Sequence, residues 1–562
     1  VDFTLSGTVT PTTATGLTVG GNLTLGANTT LTTGANYAFA VTGTTSIHGT
    51  LANTNTGAKT YTGLVTVETD GTFTNATNSA ITFQGGITNN KASGFSFGTG
   101  VINFDTNAQA IGGIESITFA SMGVTSAIVV TNNLLSSGGD SLTVSTTLGG
   151  SGTLTQGSGA SLKIGGTSTI TNMDASANPN TVEYYAGGDQ TVKAVSYNNL
   201  ILSTSGIKTM TSVTTVTGDL TVSGSATMTD NGALVITGSL VYSSSGSSTL
   251  KTGTDVSIGK LNQTGGAIVD NANTVTVTGT GASVWAESGT FTATGTVNFT
   301  GAVPQIGASN FYNLTITNSA TFTGSNTITG TFKDIIPNST LTFADNGTYT
   351  ITNINIHGSG AGNVIMTWAS GVHGHWHFVV SQANPTVTYV TVDHSDATGS
   401  SSQIDATSNC SGNNTTYWIF VALSLTAPSS VTMPDYTLGG AGYSELNFAD
   451  AIQVSAGLGF TVTISSTNLV GVHTISNTNV KLKTNDNIES NPTRIPSTSC
   501  SGFSGVDEPV AGEYSLDSPQ TIVATSSGSG TCNIYPTLRV YISDISSYAE
   551  NYTGVLTVTV TY

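Results

Sequence analysis

The segment Val372-His373-Gly374-His375-Trp376-His377-Phe378 is where this chain could do chemistry. Five of the seven histidines fall between His357 and His394. In a strand the side chains alternate, so His373, His375 and His377 share one face while Trp376 and Phe378 take the other. Neutral imidazoles in such a row are donors for Zn²⁺, Cu²⁺ or Ni²⁺. Same-face neighbours stand about 6.5–7 Å apart, so two of them share an ion only with bent geometry. His394 or Asp393, in Asp393-His-Ser-Asp396, would have to complete the site from a neighbouring segment. The competing arrangement buries Trp376 and Phe378 and leaves the histidines lining a solvated face or an interface, and the spacing favours it.

Other chemistries find less support. A glycosidase needs convergent carboxylates, and a lyase a basic residue poised to take a proton. Residues 1–421 hold eight lysines, no arginine and singly scattered acids; Asp393 and Asp396 are the close acidic pair beside a histidine. The acidic loops around Asp507-Glu508, Glu513 and Asp517, or Asp486 and Glu489, are potential calcium ligands, but solvated loop charge explains them better. No Ser-His-Asp constellation, phosphate loop or CxxC motif is present. The chain is therefore expected not to be an enzyme.

What positions these residues is an unusual composition. Charged residues are 7% of the 562, against roughly a quarter in an ordinary domain, while apolar residues reach 37% and alternate with Thr and Ser. That combination points to ordered, stacked β structure rather than disorder. The net charge is −18, both arginines, Arg494 and Arg539, lie near the C-terminus, and Lys and Arg form no cluster, so a phosphate-binding surface is excluded and with it nucleic acid and anionic membrane as partners. No run of about 18 apolar residues exists to span a bilayer. A start at Val1 fits a removed signal peptide and an extracellular or cell-surface location. Cys500 and Cys532, in similar Ser/Gly-rich settings, are expected to form a disulfide, leaving Cys410 over.

Repeats fix the architecture. Val216-Thr-Gly-Asp-Leu-Thr-Val-Ser-Gly returns 20 residues later as Ile236-Thr-Gly-Ser-Leu-Val-Tyr-Ser-Ser. A longer block recurs three times: Val101-Ile-Asn-Phe then Gln109, Val182-Glu-Tyr then Gln190 and Tyr197-Asn-Asn-Leu, Val297-Asn-Phe then Gln305 and Phe311-Tyr-Asn-Leu. A period near 20 suits one coil of a parallel β-helix and is too short for helical repeats. The expected fold is all-β: a β-solenoid of about 20 coils over 11–421, near 100 Å long at about 4.8 Å per coil, then an antiparallel β-sandwich over 422–562. Residues 1–10 form an N-terminal strand. Its apolar face, Val1, Phe3 and Leu5, either caps the first coil or is donated to a neighbouring copy by β-strand addition.

On the Tyr-Asn-Asn-Leu copies and the closing Trp376-His-Phe, Val387-Thr-Tyr-Val-Thr-Val-Asp and Trp418-Ile-Phe segments, the first part resembles parallel β-helix surface proteins of bacteria and archaea. The tail, on Ile452-Gln-Val-Ser-Ala-Gly-Leu-Gly-Phe460-Thr-Val-Thr-Ile and Tyr552-Thr-Gly-Val-Leu-Thr-Val558-Thr-Val560, is similar to WxL-type cell-surface domains and pilus-subunit sandwiches. Phe460 and Val558 stand where the WxL tryptophans would, so peptidoglycan binding is not carried over. The resemblance specifies architecture and not activity; the stiff, low-charge rod, the separate tail sandwich and the apolar N-terminal strand lead to the expectation of an extracellular structural subunit of a surface layer, sheath or filament, built from copies of itself. The alternatives are an adhesin or glycan-binding protein, and a β-helix polysaccharide-degrading enzyme.

Overall fold

The structure, a computed structural model, describes the chain apart from residues 35, 213, 251–254, 370–373, 421–423, 431, 433–441, 448–450, 457–460, 471–473, 476–477, 479, 485–497, 505–511, 525–526, 535, 543–552 and 562. It is all-β, with a parallel β-solenoid of about 20 coils and antiparallel sheets near the C-terminus. Two compact units divide the chain: Val1–Gln382 with Asp393–Gly399, and Ala383–Val392 with Ser400–Tyr562. Among the described residues no helix is long and apolar enough to cross a membrane.

In the first unit each coil lies beside the next in parallel. Phe3 pairs with Leu23, Leu23 with Thr45, Thr45 with Val65 and Val65 with Ile87, steps of 20 or 22 residues. Strands of three or four residues, such as Leu23–Leu25, Thr30–Thr33 and Phe39–Val41, make the faces of one coil, and each buries alternate residues. The period-two pattern therefore sends Leu, Val, Ile and Phe inward, and stacking lays each inward row on the inward row of the next coil. Rings of Phe39, Tyr61, Phe83, Phe104 and Phe119 form a continuous interior column with centroids 5.4 to 5.9 Å apart, spacings at which aromatic pairs add to plain area burial.

Two of the three copies of the longer repeat share a buried glutamine, whereas Gln305 of the third is half-exposed between the buried Pro304 and Ile306. Gln109 and Gln190 are buried at a coil corner, and their amides donate to carbonyls of the preceding coil, Phe83 O at 3.1 Å and Ile164 O at 2.8 Å. In Tyr197-Asn-Asn-Leu the Tyr197 ring and Leu200 are buried, and the Tyr197 hydroxyl donates to Lys193 O at 2.6 Å. Two lysines are interior as well. Lys59 is 1% exposed and donates to Asn55 O at 2.7 Å and to the Ser79 hydroxyl; burial pushes its ammonium down to about 8. Lys208 is buried likewise.

The strand Phe3–Leu5 lies on Leu23–Leu25 of its own chain and is the outermost strand of its sheet. Phe3 and Leu5 are half-buried there, and Val1 is exposed.

The second unit begins with a parallel three-stranded sheet, Thr386–Thr388, Ile404–Ser408 and Trp418–Ile419. From Ser424–Thr426 onward every strand pairing among the described residues is antiparallel. The sense of pairing thus changes between Ile419 and Ser424. Ile452, Val454, Val462, Ile464, Leu516, Cys532, Ile534, Leu538 and Val540 form its core, with Val558 and Val560 packed against them. Cys500 and Cys532 are directly opposed in the ladder between Thr498–Ser504 and Ser527–Ile534. Phe460, Asp486, Glu489, Asp507 and Glu508 lie outside the described residues.

Candidate functional site: an imidazole and carboxylate patch on the solenoid

The strand Trp376–Val380 buries Trp376, Phe378 and Val380 and leaves His377 partly exposed. Trp376 fits inward because the column above it is aromatic: its ring stacks on Phe343 at 4.0 Å with an interplanar angle of 11°. The next coil is laid on this strand in parallel, Trp376 beside Ser395 and His377 beside Asp396. The corner that carries Asp393 and His394 is held by Trp376, whose indole donates to Asp393 O at 2.8 Å and whose backbone N–H donates to His394 O at 3.1 Å. His394 occupies the left-handed region, φ 54°, a conformation uncommon for residues other than glycine.

Each of the two central imidazoles is tied to a carboxylate. His394 Nδ1 is 2.7 Å from Asp393 Oδ1, and His377 Nδ1 is 3.3 Å from Asp396 Oδ2. Trp368, half-buried, stacks on the His394 ring at 4.5 Å and 19°. The His375 ring is 6.1 Å from that of His394. Burial works to raise the pKa of Asp396, but the Thr398 hydrogen bonds and His377 outweigh it and hold the carboxyl below its ordinary range. No family model, curated protein or solved structure matches the chain. The reading of this patch therefore rests on its geometry.

Of the residues singled out by sequence, His375, His377, His394 and Asp393 come together, and His373 lies outside the described residues. The partners differ from the expected set. Asp393 engages His394 itself, the adjacent residue, and His377 turns to Asp396. Among the described residues no three His, Cys, Asp or Glu side chains converge on one point. His357 sits beside Asp334, whose carbonyl accepts its backbone N–H at 3.0 Å. Sequence reasoning missed Trp368, 26 positions before His394, because only the coil-to-coil register brings it there. It also missed His48 and Asp70, 2.8 Å apart and 22 residues distant; one coil length of separation was the available signal.

Proposed function

We propose that this chain is an extracellular structural protein, a subunit of a surface layer, sheath or filament built from copies of itself. The observation that carries the reading is the parallel coil-to-coil pairing of the solenoid, which persists through local register shifts such as those at Phe119/Ser121 and Ile328/Thr331: each coil supplies the hydrogen-bond partners of the next, so the edge of a terminal coil is a ready template for another β segment. The exterior rows of Thr, Ser and Asn and the scarcity of charge support a packing role over a catalytic one. A disulfide between the facing positions Cys500 and Cys532 belongs to the same reading, since such bonds persist in oxidising surroundings. A contact made at a coil edge is head-to-tail and propagates into a linear array.

The test is negative-stain electron microscopy of the purified chain at high concentration, alone and with residues 1–10 deleted. Ordered polymers from the intact chain are expected, and their loss on deletion places the Phe3–Leu5 strand at the contact. Unchanged polymers from the deleted chain remove strand addition at this end, and a monodisperse monomer from the intact chain removes self-assembly altogether.

A further inference from the structure

We propose that His375 and His394 form a two-imidazole site for a borderline divalent cation, Cu²⁺, Ni²⁺ or Zn²⁺, with Asp393 and Trp368 as the residues that position His394. The site is independent of the assembly role, and either can fail without the other.

The geometry begins with the register. Trp376 lies beside Ser395 and His377 beside Asp396, so one position earlier His375 stands beside His394 on the adjacent coil. Neighbouring strands are about 4.8 Å apart, whereas same-face residues along one strand are about 6.5–7 Å apart. The pair that reaches one ion is therefore the cross-coil pair, His375 and His394, and not two histidines of one strand. An ion at about 2.0–2.1 Å from a ring nitrogen stands about 3 Å from the ring centre, so rings ~5–6 Å apart can share it. The observed centroid separation is 6.1 Å, which a small rotation of the His375 side chain closes.

His394 is prepared for this use. Its Nδ1 faces Asp393 Oδ1 at 2.7 Å, which fixes the proton there and leaves Nε2 with its lone pair. A carboxylate behind the far nitrogen is the usual way a ligating histidine is oriented and made more basic. The Trp368 indole, stacked at 4.5 Å, sets the plane of the ring, and the two Trp376 hydrogen bonds hold the backbone corner in its left-handed turn. Asp393 thus acts behind the ligand rather than as a ligand. Two protein nitrogens with water in the remaining positions suit Cu²⁺, Ni²⁺ and Zn²⁺ and discriminate against Ca²⁺ and Mg²⁺, which take oxygen donors.

The experiment is calorimetric titration of the untagged full chain with Ni²⁺ and Zn²⁺, with Ca²⁺ as the oxygen-seeking comparison, and with indole fluorescence followed during a Cu²⁺ titration. One Ni²⁺ or Zn²⁺ per chain is expected. His375→Ala and His394→Asn should each weaken binding at least tenfold; asparagine is used at 394 because it tolerates the left-handed backbone. His48→Ala should leave the affinity unchanged, with melting temperatures confirming that all variants fold. Asp393→Asn should weaken binding about 10–100-fold while both ligands remain. Cu²⁺ should quench fluorescence less in Trp368→Phe than in the parent chain. Absence of stoichiometric binding, binding indifferent to both His375→Ala and His394→Asn, or a preference for Ca²⁺ would overturn the proposal.

Discussion

The side-chain oxygen of Asn199 accepts the backbone N–H of Asp219, one coil further along, at 3.0 Å. Asp219 repeats the act on Ser239 at 2.8 Å, Asp2 on Asn22 at 2.8 Å, Asn22 on Thr44 at 2.9 Å and Asn313 on Thr331 at 2.9 Å. Such bonds hold coil corners in more than one sheet, among them the corner where the chain turns into Leu220–Val222. Glycine precedes each recipient, at Gly21, Gly43, Gly218, Gly238 and Gly330, because a Cβ there would run into the accepting side chain of the coil before. The recurring Thr-Gly-Asp-Leu and Thr-Gly-Ser-Leu segments are the sequence trace of this contact.

Asn199→Ala should therefore speed exchange of the Asp219 amide roughly fivefold, for a bond worth about 1 kcal/mol. Gly218→Ala should cost more, since the new methyl displaces Asn199 and also meets Asn198 O. Combined, the two changes should be less than additive, because removing the Asn199 side chain makes room for the methyl. Hydrogen exchange is the suitable measurement, as it reads single coils in an array whose unfolding is not one all-or-none step. Strict additivity would show that Gly218 is there for another reason.

Asp334 gives the solenoid a pH dependence of its own. It is buried, and burial pushes its carboxyl up to about 6 even though the Ile336 N–H and the Ser339 hydroxyl donate to it. A carboxyl raised on folding binds its proton in the folded state while the unfolded chain has already released it. Its contribution to stability is complete below about pH 4 and is lost as pH rises through about 6, a change of up to ~3 kcal/mol. Asp334→Asn keeps an acceptor for Ile336 and should flatten this slope, leaving the variant more stable than the parent above pH 7. Thermal melts of both proteins between pH 4 and pH 8 decide it; parallel curves would mean that Asp334 stays charged.

Lys208 is buried with its ammonium against Ala186 O at 2.6 Å, Gly188 O at 3.2 Å and the Gln190 side-chain oxygen at 3.2 Å. Burial lowers its pKa, and Asp189 opposes the shift. Lys208→Met keeps the apolar stem but removes the ammonium from Ala186 O and Gly188 O, while the Gln190 oxygen keeps the Ala186 N–H at 3.2 Å, and the loss should destabilise the protein by roughly 1–3 kcal/mol. Lower melting temperature and faster exchange of the neighbouring amides are the expected readings. Unchanged stability would show that water replaces the ammonium.

These interior polar groups explain where sequence reading stops. The alternation of Trp376 and Phe378 with His375 and His377 was legible, because a period of two decides which side chains face the core. The 20-residue recurrence from Leu220 to Leu240 was legible for the same reason, each coil repeating one inward set. Which coil position faces which was not, because coil lengths vary: Val182 pairs with Leu200 after 18 residues, but Leu261 with Trp285 after 24. The patch depends on that register, so His394 could be named but its partners could not. Lys59, Lys208 and Asp334 carried no signal at all, since a charged residue among Thr and Ser reads as surface until the chain folds over it.

The tail offers a last test. Cys500 and Cys532 face each other across antiparallel strands, where Cα atoms are about 4.5–5.5 Å apart, within the span of about 4.4–6.8 Å that a disulfide bridges. Cys532 belongs to the buried core of the sheets around it. Cys410 is elsewhere, half-buried, free, with the Val390 N–H directed at its sulfur at 3.2 Å, and burial raises its thiol pKa. Denatured chain should thus expose one titratable thiol without reductant and three with it. Cys532→Ser should expose two without reductant and lose about 2–4 kcal/mol, the usual contribution of a bridge that closes a loop of this kind. Three thiols in the unreduced parent chain would show that the facing cysteines are not joined and would remove the bridge from the functional reading.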